Sequence, residues 1–423
     1  MANKTVYQND KADLDPAGRL YYLDWLRVLA IIFVLLIHSS KFFDYHTSVL
    51  FNEVRSPVLS TFREFVLLWI MPFFFCVSGA AVFLSFQFQN TGGFVKSKLM
   101  RILVPSVLVG SFIVNPPYVY MEKLFSGKTE YSFFKWFTHY FEGMHGMGGN
   151  FAPWGMGTHI WYLQFLFIFS LIFLPLFIRS KRSGKSLLER LAPAFKNPVA
   201  LFLLCLPVVA IGFFFEYAGM SGARSMGTWD PISYMFFFLF GYIIYSNAQI
   251  QETIRKYSTV YLVLALALTV VHLASHFGIL LKLQGITRHD IGTGEILPLD
   301  HSKFAIAQIF RGIAAWGWTL ALLGLGRRYL NFNNKNRTYA NEAVLPFYIL
   351  HHTVIYIVGY YVIQWGLGVG TKFSVITIVS FVLIMAIYEI LIRRINILRI
   401  LFGLKSKKKA AMSISTQQPA KVS

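Results

Sequence analysis

Long apolar runs alternate with short polar segments along most of this 423-residue chain. A helix needs about 18 or more apolar residues to cross roughly 30 Å of hydrocarbon. Ten runs are candidates for this, near 24–43, 64–87, 102–121, 158–178, 198–216, 231–247, 258–281, 303–326, 342–363 and 372–392. Because the bilayer core offers no water to an open backbone, such runs are expected as helices. The pattern predicts an all-α integral membrane protein, a bundle of about ten transmembrane helices.

The composition agrees, since only 14% of the residues are charged, against about a quarter in soluble proteins. The net charge of +20 would suggest nucleic-acid binding in a soluble chain. Between the ten spans, however, 26 Lys and Arg fall in the alternate segments that include both termini, and 7 fall in the other loops. By the positive-inside rule, both termini are predicted to be cytoplasmic. The excess charge then reflects topology and contact with membrane lipids, and no nucleic-acid partner is predicted.

The predicted organisation is a cytoplasmic N-terminal tail over 1–22, a membrane-embedded domain over 23–392 and a basic cytoplasmic tail over 393–423. Polar residues precede the first apolar run and no small-residue cleavage site follows it, so that run is expected to be a retained signal-anchor. Cys76 and Cys205 both lie in apolar runs. Neither a disulfide framework nor a thiolate metal site is therefore predicted.

Arg27 and His38 lie in the first span, where ionisable residues are costly and mark candidate functional positions. Their separation of eleven residues is about 20° more than three helical turns, so they share one face, roughly 16 Å apart along the axis. Two interpretations stay open. Arg27 could pair with Asp24 as an interfacial anchor while His38 hydrogen-bonds a neighbouring helix. Alternatively, the face could carry chemistry, with a fixed cation near the cytoplasm and a titratable imidazole further out.

Other polar residues fall toward the outer ends of predicted spans. His159 and Trp161 open the fourth span, and Arg311 lies about eight residues into the eighth. Together with His38, these side chains could converge on a polar cavity in the outer leaflet.

Two histidine pairs are further candidate sites. His272 and His276 share a helix face, but no Cys or Glu stands at metal-ligand spacing, so interhelical hydrogen bonding is favoured and no metal is predicted. His351 and His352 are consecutive and point about 100° apart, so at most one is predicted to face a shared cavity.

On the predicted cytoplasmic side, Lys96, Lys98 and Arg101 precede the third span. Such a cluster could bind the phosphates of a nucleotide-like cofactor, because Arg makes two-pronged contacts with phosphate oxygens. A simple positive-inside loop explains any one of these residues equally well.

Taken in order, the motifs resemble those of the acyltransferase 3 family. Arg27 followed after ten residues by His38 is similar to that family's first-span Arg/Lys-x10-His motif. Further segments that resemble family motifs follow in the family's order: Met71–Gly79, Lys98–Pro105, His159–Leu163, Phe238–Tyr242 and Leu345–His351. The resemblance covers roughly residues 20–392.

The resemblance implies an acyl-CoA-dependent O-acyltransferase in a bacterial plasma (inner) membrane. Such an enzyme moves an acetyl or succinyl group from cytoplasmic acyl-CoA to a hydroxyl of an extracytoplasmic carbohydrate or glycan. On this interpretation Lys98 and Arg101, with Arg27 near the cytoplasmic entrance, hold the phosphate-rich donor. His38 acts as general base, and an acyl-histidine intermediate is the open alternative.

For the acceptor side, the expected contacts to acceptor or oxyanion are His159, Trp161 and Arg311. The segment Trp161–Phe167 lacks the paired glutamates of many polysaccharide O-acetyltransferases, and no esterase-like domain is seen after the last span. Both departures favour the glucans biosynthesis protein C branch of the family, whose members attach succinyl groups to periplasmic glucans.

The alternative function is a polytopic transporter or flippase for a glycan or a lipid-linked intermediate, which would also need a polar cavity among ten spans. A homo-oligomer is left open.

Overall fold

The computed structural model describes residues 20–45, 49–140, 159–183, 194–218, 227–276 and 301–406, and in these ranges the regular structure is helical, without strands. The α-helices are α1 Tyr21–Ser40, α2 Pro57–Gln87, α3 Thr91–Lys98, α4 Asn115–Phe125, α5 Phe133–Tyr140, α6 Trp161–Ile172, α7 Leu174–Ser183, α8 Pro198–Phe202, α9 Leu206–Tyr217, α10 Pro231–Ser246, α11 Ala248–Lys256, α12 Ser258–His276, α13 His301–Tyr329, α14 Lys335–Val362, α15 Val369–Ile387 and α16 Asn396–Leu401.

Each predicted apolar run coincides with helix, as far as the described residues extend. In the described part of the chain, seven spans are long and apolar enough to cross a membrane, and two bent helix pairs raise that number to nine if each pair is one span. These pairs are α6 with α7, bent by 47°, and α11 with α12, bent by 63°. The helix at the remaining run, α10, has only 16 residues. The all-α membrane architecture is therefore confirmed, while the count of ten and the cytoplasmic termini stay predictions.

The described residues form two compact units, the first from 20–91 and 169–333 and the second from 92–168 and 334–406. In the first unit α2 packs against α1, α10 and α13, and α13 also packs against α9 and α12. The most apolar part of α2 is 89% buried, whereas that of the span Pro198–Tyr217 is only 22% buried. The unit is thus built around α2, and the apolar outer faces of helices such as α9 suit contact with lipid.

Helices α2 and α10 of the first unit cross at close range at two glycines. A methyl group on Gly79 would lie 1.8 Å from the carbonyl oxygen of Phe238, and one on Gly241 would lie 1.8 Å from that of Cys76. Because hydrocarbon provides little drive to push apolar helices together, small residues that let backbones approach are a main source of packing energy in membranes. The two glycines therefore set the distance between these helices.

In the second unit α14 packs against α15 and α4. The span Thr91–Phe125 is not uniformly α-helical, since Leu99–Leu103 and Pro105–Val114 adopt π-helical turns. Helix α5 packs against α4 and is tied down by Tyr140, whose hydroxyl donates to the carbonyl oxygen of Ser111 at 2.9 Å. Burial raises the pKa of the Tyr140 phenol, which keeps it protonated as a donor.

Replacing Gly79 with alanine should disrupt the crossing of α2 and α10, because the added methyl group meets backbone that cannot move aside. We expect Gly79→Ala to lower the free energy of unfolding by about 3 kcal/mol, measured as a lower thermal unfolding midpoint in detergent micelles. Gly212→Ala in α9 is the matched control, since its methyl group would lie 3.7 Å from Cβ of Gln308, an ordinary contact. An unchanged midpoint for Gly79→Ala would contradict the tight crossing.

Candidate functional site

Arg27 lies on α1 in the first unit, one turn after Asp24. Its Nη1 is 3.2 Å from Oδ1 of Asp24, and its Nη2 donates to the carbonyl oxygen of Val77 on α2 at 3.5 Å. The Asp24 side chain is only 4% exposed and that of Arg27 is 23% exposed. A carboxylate in the first helical turn is stabilised by the helix dipole and by the cation that it holds. The pairing with Asp24 considered from the sequence is therefore present, and the hydrogen bond to Val77 joins α1 to α2.

His38 lies in the last turn of α1 and is half-buried. The chain beyond it is joined to α2, because Arg63 of α2 donates from Nη1 to Oδ2 of the fully buried Asp44 at 2.8 Å. Ser40 caps this end of α1 by donating to the carbonyl oxygen of Ile37 at 3.0 Å. His38 thus lies on a rigid element whose outgoing chain is fixed to α2, as a catalytic imidazole would require.

Arg311 of α13 also belongs to the first unit, and its side chain hydrogen-bonds the turn that precedes α10. Its Nη1 donates to the carbonyl oxygen of Thr228 at 2.6 Å, its Nη2 donates to the Thr228 hydroxyl, and its guanidinium carbon is 4.3 Å from the ring centre of Trp229. Thr228 has φ of 68°, a left-handed conformation that costs free energy in a threonine. Arg311 therefore helps to hold a strained turn directly before α10.

Lys98 and Arg101 lie in the second unit, where α3 passes into a π-helical turn over Leu99–Leu103. Lys98 ends α3, with its Nζ 5.1 Å from the ring centre of Phe94. Arg101 donates from Nε to the carbonyl oxygen of Gly403 at 3.2 Å. Short π-helical turns inside α-helices often occur at functional sites. The local geometry is thus unusual at the two residues predicted to bind the donor.

His159 lies in the second unit, two residues before α6, and is the centre of a buried histidine cluster. Its Nε2 hydrogen-bonds the carbonyl oxygen of Ile349 at 2.9 Å, and its own carbonyl oxygen accepts from the Tyr348 hydroxyl. The ring centre of His351 is 5.1 Å from that of His159, and the ring of His352 stacks on His159 at 4.8 Å. Both histidines therefore contact the same third ring, while the prediction that at most one of them faces a shared cavity stays a prediction.

Rings 100° apart on α14 both reach His159, because the ring of His159 lies between their two directions. Tyr118 and Tyr356 extend the cluster, with ring centres 4.5 Å and 4.6 Å from that of His352. Trp161 is buried at the first position of α6, where its ring meets Phe165 edge-on at 6.1 Å.

The predicted site residues divide between the two units. Arg27, His38 and Arg311 belong to the first, and the second contains Lys98, Arg101, His159 and Trp161. The residues predicted to converge on a polar cavity in the outer leaflet belong to both units, and their convergence stays a prediction. Among the described residues, no group of three or more His, Cys, Asp or Glu could hold a metal ion. The side chain of His276 lies outside the described part of the chain.

Sequence reasoning did not assign the tyrosines around the histidine cluster. Tyr348 and Tyr118 stand in apolar spans where an aromatic residue is ordinary, and nothing in their spacing marks the partners that they meet. The proline at position 346 inside α14 is no signal for the cluster, because it leaves free the carbonyl four residues earlier, at Glu342, and not that of Ile349.

Together, the apolar spans define a multi-pass membrane protein whose described regular structure is helical. The chain belongs to the acyltransferase 3 family, since that family's profile, described as an acyltransferase domain, matches residues 20–389. It is similar to the glucans biosynthesis protein C of Salmonella schwarzengrund (strain CVM19633), with 21% identity over 94% of this chain and 99% of the relative. The protein of the same name from Salmonella paratyphi B is 22% identical over the same shares. No solved structure matches the chain. The resemblance found in the sequence is confirmed.

Exchanging Arg311 for lysine tests whether Arg311 holds the turn. The planar guanidinium donates to both Thr228 oxygens, and the single ammonium group of lysine lacks this two-pronged geometry. We expect Arg311→Lys to lower the free energy of unfolding by about 2 kcal/mol, measured by thermal unfolding in detergent. Arg255→Lys is the control, since Arg255 pairs with Glu252 on the surface, both about half exposed, where such pairs contribute little. Equal small effects of both exchanges would show that Arg311 does not hold the turn.

Proposed function

We propose that this protein transfers an acyl group, acetyl or succinyl, from cytoplasmic acyl-CoA to a hydroxyl of an extracytoplasmic glucan-type carbohydrate in a bacterial inner membrane. The observation that carries the proposal is the family match over residues 20–389, which includes Arg27 and His38 on one helix. The relatives' name, glucans biosynthesis protein C, supports a glucan as the acceptor. The absence of paired glutamates in Trp161–Phe167 supports succinyl over acetyl transfer.

In the proposed reaction His38 is the general base. Its imidazole takes the proton of the acceptor hydroxyl as the oxygen attacks the thioester carbonyl. When the carbon–sulfur bond breaks, the same proton passes from the imidazolium to the leaving CoA thiolate. An imidazole suits both transfers, because its unperturbed pKa lies near neutral pH. In the variant that stays open, the imidazole itself attacks and forms an acyl-histidine before the acceptor arrives.

Lys98 and Arg101 are the proposed phosphate ligands of the donor. A guanidinium gives the two-pronged contact that phosphate oxygens favour, and an ammonium adds a compact charge. The π-helical turn that contains Arg101 and directly follows Lys98 supports the assignment, because it breaks the regular helix at this point. Arg27 is proposed to assist from α1, where Asp24 and the carbonyl oxygen of Val77 hold it in place.

His159, Trp161 and Arg311 are the proposed acceptor or oxyanion residues. Nδ1 of His159 is buried and makes no hydrogen bond among the described residues, so it has capacity for a ligand hydroxyl. Trp161 offers the aromatic surface on which the apolar face of a sugar ring can pack. Arg311 would act through the turn that it grips at Thr228.

The central experiment uses the purified full chain in lipid vesicles with acyl-CoA and an oligosaccharide glucan. We expect free CoA to appear together with acylated glucan, detected by thiol assay and mass spectrometry. A transporter or flippase would move the solute without consuming the thioester, so transport without CoA release would overturn the proposal.

His38→Ala should abolish acyl transfer, because no base remains to take the hydroxyl proton, and general base catalysis contributes about 10²–10⁴-fold. The measurement is the initial rate of CoA release at saturating donor and acceptor. His139→Ala is the matched control, since His139 is exposed on α5 and no catalytic role is proposed for it. If His38→Ala keeps most of the activity in correctly inserted protein, the base is elsewhere.

Arg101→Ala should raise the KM for acyl-CoA about 10- to 100-fold, the scale of losing a hydrogen bond to a charged group. The KM for the acceptor should change little. Lys96→Ala is the control, because Lys96 is exposed on α3 and carries the same formal charge nearby. Equal effects of the two substitutions would point to general attraction of the donor rather than to a specific phosphate contact.

A further inference from the structure

The second unit contains a compact C-terminal segment, residues 393–405, that we call the C-terminal hook. It follows α15 and its π-helical end, Tyr388–Ile392, and consists of a turn, the short helix α16 and a second turn at Gly403. Gly403 has φ of 76°, a left-handed conformation that reverses the chain after α16. Phe402 beside it is buried at 7% exposure. The hook is thus an ordered part of the unit.

Arg399 fixes the shape of the hook from within. Its Nη2 donates to Oε1 of Glu342 on α14, its Nε donates to the carbonyl oxygen of Lys405 at 2.9 Å, and its Nη1 donates to that of Arg393 at 3.3 Å. One guanidinium therefore joins the end of α15, the chain after α16 and the first turns of α14. Its side chain is only 7% exposed.

The hook ends on Arg101. The Gly403 carbonyl oxygen accepts from Nε of Arg101 at 3.2 Å. A methyl group on Gly403 would lie 2.7 Å from the Arg101 carbonyl oxygen, 2.8 Å from Leu345 and 3.2 Å from Pro105. Only glycine combines this close approach with a left-handed backbone at no strain. The contact between the hook and Arg101 is therefore fixed by a hydrogen bond from Arg101 and by the close approach of Gly403.

We infer that the C-terminal hook positions the Arg101 guanidinium for the donor phosphates, with Arg399 and Glu342 as the positioning residues. The inference rests on the proposed donor role of Arg101. A bond through Nε fixes the plane of the guanidinium, and that plane sets the direction of a two-pronged phosphate contact. Arg399 and Glu342 act only through Gly403 and do not touch the donor.

Stability alone is a weak explanation for the pair of Arg399 and Glu342. A largely buried ion pair costs desolvation, and apolar side chains of the same size often give equal or greater stability. The planar guanidinium of Arg399 instead fixes the relative positions of three oxygens from three chain segments. The hook has to be held in this position for the Gly403 carbonyl to accept from Arg101.

The test compares hook variants by donor kinetics in the full chain. Arg399→Gln should raise the KM for acyl-CoA about fivefold, the scale of one hydrogen bond's net contribution, with kcat and the acceptor KM within about twofold. Glu342→Gln should act in the same direction and more weakly, since an amide oxygen still accepts a hydrogen bond. Glu389→Gln is the matched control, because Glu389 pairs with Arg393 nearby but is 37% exposed and does not hold Gly403. It should leave all three constants unchanged.

A parallel binding measurement uses coenzyme A itself and does not depend on turnover. Combined with Arg101→Ala, Arg399→Gln should cause no further loss of CoA affinity, because residues acting through one another are not additive. If Arg399→Gln fails to fold, Gly403→Ala is the second variant, since it displaces the same contact while Arg399 and Glu342 stay intact.

The outcomes separate the two proposals. If Arg101→Ala weakens CoA binding and the hook variants leave it unchanged, the inference is overturned while the proposed donor role stands. If Arg101→Ala itself has no effect, the donor role fails and the inference falls with it. Additive losses in the double variant would show that the hook acts on something other than Arg101 and would also overturn the inference.

Discussion

A charge placed among apolar helices has to find its partners within the protein, and much of the described polar structure follows from this constraint. In the first unit the partner of Arg27 is Asp24, three residues away on the same helix. The partners of Arg311 are the oxygens of Thr228 and the face of Trp229. Arg27 also donates to the carbonyl of Val77 on α2, and Arg311 joins α13 to the turn before α10, so charged groups that are costly to bury help to hold neighbouring elements together.

The spans could be predicted because crossing hydrocarbon is a requirement on composition, which every apolar run displays. The breaks within them could not, because they depend on local backbone partners. Asn247 accepts from the backbone N–H of Gln249 at 2.9 Å and thereby starts α11. The chain bends by 63° between α11 and α12 and by 47° between α6 and α7. Apolar composition predicts where helices cross hydrocarbon, but it does not mark where a helix bends.

For the candidate site, sequence reasoning succeeded where both partners lie on one helix. The pairing of Arg27 with Asp24 follows from helical geometry alone. The histidine cluster did not follow, because His159 precedes its helix and meets His351 and His352 across a separation of about 190 residues. Helical angles on α14 describe the directions of two rings but not the position of the third, which only the packing of the unit determines.

The partners hardest to foresee are backbone carbonyls. His159 hydrogen-bonds the carbonyl of Ile349, Thr353 donates to that of Val114 at 2.5 Å, and Arg101 donates to that of Gly403. Every residue has a carbonyl, so the identity of the accepting residue carries no mark of the contact. Only the side-chain donor is visible in the sequence, and only the fold decides which carbonyl it meets. Gly403 is the exception, because its left-handed backbone and close approach require glycine. There the accepting position, too, is constrained in residue type.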